Sequence, residues 1–395
     1  MLRPGSFALT VLLALVTAIG PLSIDLYLPA MPEIGKLLDA PASQVQLTIS
    51  VYLIGFAGGQ IVYGPVSDRY GRKPVLMTAL VVFCLATLAC AVAPGIGALV
   101  AARMIQGFGA SGAIVLARAI IRDLYEGPRA GRELSIMAMI MGLAPIIGPL
   151  IGGALQTVFG WRADFVFIFA AGGVAAALSW RLLPETRKAP AAPLSFANVL
   201  LGYRLLLAHG GFLANIALAA ISFCGLFAWI SASPFVLQDL YGLSALSFGM
   251  AFSLAAVGFM LGTSLAAAIV VRLGLDRTIG IGAVAVAAGG LALLAAVGFL
   301  PRAGLSLSVP VAVYLAGMGL IMPQAFAAAL QPFPHHAGAA SALGGVVQQS
   351  AAAIMGAVVG HALGTTAWPL AIAVAAAGCL TPMVWYFTRG VRAAR

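Results

Sequence analysis

The stretch Gly64-Pro65-Val66-Ser67-Asp68-Arg69-Tyr70-Gly71-Arg72-Lys73-Pro74 decides how the rest of the chain is read. It is a short charged turn between two long apolar runs, with the pattern G-x-x-x-D-R-x-G-R-K. Its glycines permit a tight reversal between helices. Its cations hold the turn at a membrane face, and Asp68 can sit against a helix N-terminus or an arginine. A faint copy follows, for Arg272 and Gly274 stand 203 residues after Arg69 and Gly71, with Val271 where Asp68 would recur. Two duplicated six-helix halves would leave such a spacing.

The composition agrees with that turn. Of 395 residues, 62% are apolar and 8% are charged, against roughly 25% charged in an ordinary soluble domain. A water-soluble enzyme is excluded. Apolar runs fall at 7–30, 44–65, 75–93, 97–121, 132–157, 163–183, 210–236, 244–271, 277–299, 307–331, 338–363 and 366–388, which makes twelve spans. Each is close to the roughly 20 residues that a membrane-crossing helix needs. The longest break, Pro184 to His209, carries Pro184, Pro190 and Pro193. It divides the chain into a six-helix bundle over 1–183, a cytoplasmic linker over 184–209 and a second six-helix bundle over 210–395. The first run, behind Arg3, continues through Gly20-Pro21 to Leu28, so it is expected to be an uncleaved helix and not a signal peptide.

The net charge of +10 is explained by where the cations fall. With the N-terminus inside, only Lys36, Arg162 and Arg302 lie on the outer side and Arg103 lies within a span; the other basic residues, Lys188 and Arg395 among them, fall on inner loops and tails. This bias places both termini in the cytoplasm and leaves no role for nucleic acid. Cys84, Cys90, Cys224 and Cys379 all lie in apolar runs without C-x-x-C spacing, as packing residues do.

On the loop motif and the twelve spans, the chain resembles the major facilitator superfamily over its full length. Ile24-Asp25-Leu26-Tyr27-Leu28-Pro29-Ala30-Met31-Pro32 and Arg118-Ala119-Ile120-Ile121-Arg122-Asp123 narrow the resemblance to its twelve-span drug:proton antiporters, the bicyclomycin and chloramphenicol resistance (Bcr/CflA) group. The resemblance implies an all-α membrane protein with two pseudo-symmetric bundles. It also implies that Gly64, Asp68, Arg69, Gly71, Arg72 and Asp123 form a conformational latch, with Asp68 facing the start of span eleven and Arg72 pairing with Asp123.

Span four reads Leu99-Val100-Ala101-Ala102-Arg103-Met104-Ile105-Gln106-Gly107-Phe108-Gly109-Ala110. An arginine at the centre of a helix costs about 2.5 to 3.5 kcal/mol on insertion scales and marks a functional position by default; the family sets a motif linked to proton transfer here. Gly107, Gly109 and Gly112 spell a dinucleotide fingerprint, but in mid-span they serve close helix packing. Asp25 is read as the only acid well inside an apolar run. It lies about 26 Å along span one and Arg103 about 9 Å down span four from the opposite entry, so the two depths agree within about a turn. Burial disfavours the charged carboxylate and a nearby arginine favours it, so a change in their separation can load and release a proton. Asp25 and Arg103 are the proton-coupling candidates.

Span five reads Gly142-Leu143-Ala144-Pro145-Ile146-Ile147-Gly148-Pro149-Leu150-Ile151-Gly152-Gly153. In a membrane such a run makes a kinked, grooved surface. Pro145, Gly148, Pro149, Gly152 and Gly153 resemble the family's antiporter motif, which implies export. Candidate substrate contacts are Tyr27, Tyr52, Gln60, Met141, Asn215, Phe223, Trp229, Met318, Gln324, Gln348 and Gln349. His335-His336 reads as a loop pair and His361 as an interface residue, and no metal is assigned.

The expected function is export of small lipophilic drug-like molecules in exchange for protons, by alternating access in a bacterial inner membrane. The lipid bilayer surrounds the chain, a monomer is expected, and no cofactor is needed beyond the proton gradient. Proton-coupled transport of a natural metabolite is the alternative. An intramembrane enzyme is less favoured, because no H-E-x-x-H or facing Ser/His pair is evident, and a channel would need a ring of like residues.

Overall fold

A computed structural model describes residues 6–125, 127–187, 203–333 and 337–393. Arg3, Lys188, Pro190, Pro193, the His335-His336 pair and Arg395 lie outside the described residues. Among the described residues the secondary structure is all helical, and twelve helical stretches are long and apolar enough to cross a membrane. The chain forms two compact units, Met1–Leu194 and Ser195–Arg395.

The first unit contains α1 (Phe7–Asp25), α2 (Met31–Leu37), α3 (Ala42–Tyr70), α4 (Arg72–Ala91), α5 (Ile96–Leu124), α6 (Gly127–Met141), α7 (Ala144–Phe159) and α8 (Arg162–Leu182). Two expected spans are each built in two pieces. Span one stops as α-helix at Asp25, passes through a 3₁₀ turn at Leu28–Ala30 and resumes as α2. Pro29 lacks the N–H that would continue the ladder, and Pro32 at the start of α2 suits the first turn of a new helix. Span five breaks at Gly142-Leu143, between α6 and α7.

The second unit contains α9 (Gly210–Pro234), α10 (Ala245–Leu273), α11 (Leu275–Phe299), α12 (Gly304–Leu330), α13 (Ala337–Ala362) and α14 (Trp368–Phe387). After Pro234, α9 widens into a π-turn at Phe235–Leu240.

Each unit packs its helices by the same scheme. In the first, α5 packs on α3 and α4, α4 on α8, and α1 on α5 and α6. In the second, α12 packs on α10 and α11, α11 on α14, and α9 on α12 and α13. The reversal glycines match as well: Gly71 has φ +100° and Gly274 φ +80°, a region that side chains with a Cβ rarely occupy. The duplication that the sequence carries as two or three residues is thus a duplication of packing.

Candidate functional site

The N-terminal unit holds its polar groups around span one. Gly55 on α3 and Gly107 on α5 let those two backbones meet: a Cβ on Gly107 would stand 2.0 Å from the Tyr52 carbonyl oxygen, and one on Gly55 2.0 Å from that of Met104. This approach brings Tyr52 over Arg103. The arginine is fully buried, with its Cζ 4.5 Å from the Tyr52 ring centre and 4.8 Å from that of Tyr27. Its Nη1 donates to the Ser23 carbonyl at 3.0 Å and to Gln106 Oε1 at 2.6 Å, and Gln106 Nε2 donates to Thr87 Oγ1 on α4 at 2.8 Å. The cation is therefore held by ring faces, a carbonyl and an amide, all of which favour positive charge out of water.

Asp25 and Arg103 make no ion pair among the described residues. The guanidinium reaches the backbone two residues before Asp25, while Asp25 turns toward span five. A Cβ placed on Gly148 of α7 would lie 2.9 Å from the Asp25 Cβ, and one on Gly152 would lie 2.0 Å from the Leu26 carbonyl oxygen. Asp25 is buried, 5% exposed, at the last turn of α1. The Gly-Pro surface of α7, where Gly148, Pro149, Gly152 and Gly153 are buried and Pro145 half-buried, forms its cradle.

The residues expected to contact substrate lie in packed surroundings in both units. Tyr27 and Tyr52 are fully buried. The Tyr27 hydroxyl and Thr48 Oγ1 are 2.9 Å apart, and the Tyr52 hydroxyl donates to the Gly20 carbonyl at 3.0 Å. Both are walls of the arginine cage. In the second unit, Met318 and Trp229 are buried in its own packing, Trp229 stacked on Phe252. Asn215 donates to the Gly211 carbonyl at 2.8 Å, and Gln348 donates to Met322 Sδ at 3.6 Å. Gln324 is buried, and Gln60, Met141, Phe223 and Gln349 are half-buried. The Oε1 atoms of Gln60 and Gln349 have no hydrogen-bond partner among the described residues.

The turn that opens the sequence is clasped from three sides. Arg72 Nε donates to Asp123 Oδ2 at 2.8 Å, and Nη1 meets Asp68 Oδ1 and Ser67 Oγ, each at 2.6 Å. Arg69 lies 5.4 Å over the Tyr70 ring, and Gly64 has open space around it. Sequence reasoning missed the third side, Glu185. Its carboxylate accepts from the backbone N–H of Arg72 at 3.0 Å and of Lys73 at 3.1 Å, capping the N-terminus of α4. It also stands where a Cβ on Gly71 would come within 2.7 Å. A Pro-Glu-Thr run just past the last apolar residue of span six was the available signal. Glu133 is a second missed acid, buried on α6 and accepting from the Thr10 hydroxyl at 2.5 Å.

Two pseudo-repeated six-span bundles, with a buried cation, a buried acid and a clasped charged turn in the first, define a secondary transporter architecture. The Major Facilitator Superfamily model matches residues 13–357, and the chain belongs to that superfamily. It is 31% identical over 390 residues to a bicyclomycin resistance protein homolog of Haemophilus influenzae, covering 98% of this chain and 97% of that one. It is 30% identical to a chloramphenicol resistance protein of Pseudomonas aeruginosa, over 93% of this chain and 87% of that one. Multidrug resistance protein D of Escherichia coli is 30% identical over 90% and 89% of the two chains. Among solved structures, a D-xylose-proton symporter superposes with a TM-score of 0.78 at 17% identity, covering 96% of this chain and 97% of that one. That likeness concerns the fold.

Proposed function

We propose that the protein exports lipophilic drug-like molecules in exchange for protons, with Asp25 as the proton carrier. The observation that carries this reading is the seat of Asp25, a buried acid at the broken end of a spanning helix, against the glycine face of α7. A carboxylate without a counter-ion is tolerated in such a place as the neutral acid. Water reaching it in one state of an alternating-access cycle would take the proton away, and the caged Arg103 nearby would steady the anion while substrate is exchanged. The resistance-protein names of the relatives support drug-like substrates.

In this reading Gly148 and Gly152 seal the path around Asp25, so that a proton crosses only when the transporter changes state. The clasp of Asp68, Arg72 and Asp123 is the latch of one end state. The chain works as a monomer in a bacterial inner membrane with both termini cytoplasmic, driven by the proton gradient alone. Asp25→Asn tests the carrier role, since it replaces a buried neutral acid by a neutral group of the same shape that cannot give up a proton, and it should leave the chain inserted. Efflux driven by an imposed pH gradient is expected to vanish in this variant. Undiminished coupled efflux would overturn the assignment.

A further inference from the structure

A second buried acid has no part in the reading above. Asp164 is the third residue of α8 and is fully buried, and neither of its carboxyl oxygens has a hydrogen-bond partner among the described residues. Glu33 of α2 is the acid that acts on it electrostatically, and Glu33 Oε2 is likewise buried and unpartnered. One turn before Asp164, the indole N–H of Trp161 is buried without a partner as well. These groups gather at the end of the unit that carries the turn at 92–95, opposite the clasped turn at Gly71, because Arg162 donates to the Ala93 carbonyl at 3.3 Å.

The neighbouring charges do not neutralise Asp164. Arg162, on its own helix, lies 4.3 Å over the Trp161 ring and makes the bond to Ala93. Arg103 of α5 lies 6.0 Å over the Phe165 ring; its Nη1 is given to Ser23 and Gln106, and its Nε and Nη2, though without a hydrogen-bond partner among the described residues, make none with Asp164. Tyr27, before α2, and Cys90 of α4 are further titratable groups on this side, Lys36 follows Glu33 by one turn on α2, and α7 brings none. An ionised carboxylate so placed would bear its full desolvation penalty, which in practice a group escapes by taking up a proton. A hard metal cation would need six or more oxygen ligands. Here there are two carboxyl groups beside an indole N–H, which is a donor only.

We propose that Asp164 is a second proton-binding site, held as the neutral acid, with Glu33 as the neighbouring charge that governs its release. One proton removes the charge that no counter-ion among the described residues balances at Asp164. At this end of the bundle it is placed to exchange protons with the side opposite the clasped turn. Its use as a loading station for export rests on the antiport reading; its existence as a proton site does not.

The test is infrared difference spectroscopy of the purified full chain in lipid nanodiscs, between acidic and alkaline buffer, reading the protonated-carboxyl C=O stretch. Asp164→Asn is expected to remove one titrating carboxyl band and to lower the protons released per chain by one. Glu33→Gln should keep the band and change the pH at which it titrates. If the Asn variant does not fold, Asp164→Glu should keep a titrating band and displace its frequency. Spectra of a folded Asp164→Asn that superpose on wild type would overturn the site, whatever the transport direction. Should the band depend on Asp164 while wild-type vesicles show no exchange of drug for protons, the site stands and the antiport reading falls.

Discussion

Gly148→Ala is the smallest change that touches the seat of Asp25. The added carbon would lie 2.9 Å from Asp25 Cβ and 3.3 Å from the Leu26 nitrogen, whereas two carbons rest at about 3.5–4.0 Å. Either α7 or the end of α1 must therefore yield by about 0.6 Å or more. Overpacking of this kind costs about 1–3 kcal/mol, which at about 1.4 kcal/mol per tenfold depletes the packed state roughly 5- to 140-fold. The neighbours calibrate it. A Cβ on Gly152 would meet the Leu26 carbonyl at 2.0 Å, where no side-chain rotation helps, so Gly152→Ala should be worse. Gly173 on α8 has open space around it, so Gly173→Ala should transport like wild type. The assay is drug efflux in everted vesicles, normalised to the amount of inserted protein. Gly148→Ala behaving like Gly173→Ala would refute the claim that this glycine face seals the acid.

Arg103→Lys keeps the charge but loses the planar group between two tyrosine rings. A desolvated cation–π contact is worth about 2 kcal/mol, so coupled transport should fall roughly 30-fold with insertion unchanged, measured as initial efflux rate against membrane protein level. Asp123→Asn leaves Arg72 its bonds to Asp68 and Ser67 but removes a charge-assisted bond worth about 1.5–3 kcal/mol. Turnover should slow while drug affinity stays within a few fold, read from binding titrations alongside efflux.

The spans and the charged turn were legible because chain length, apolar runs and the placement of cations record them directly. Arg103 and Asp25 stood out in the sequence because ionisable groups are rare in such runs, and both are buried. Facing was not. A helix in lipid is apolar all round, so its sequence does not say which side meets another helix. Tyr27 and Tyr52 were accordingly read as candidate cavity residues with no sign in the sequence that their rings face Arg103. Depth along a straight axis put Asp25 level with Arg103, yet the helix ends at Asp25 and the side chain turns to Gly148. Asp164 stood at the edge of its apolar run and drew no reading, because burial at a span's end comes from neighbouring turns that no local pattern encodes. Glu185 was counted as linker, although its partners lie more than 100 residues earlier in the chain.

Simultaneous recording of proton and drug flux in proteoliposomes of the purified chain, under an imposed pH gradient and no other driving force, bears most directly on the proposed exchange. Drug should move up the proton gradient's opposing direction, each drug leaving the compartment that protons enter, and a protonophore should abolish the movement. Drug and protons travelling together, or drug flux indifferent to the gradient, would contradict it.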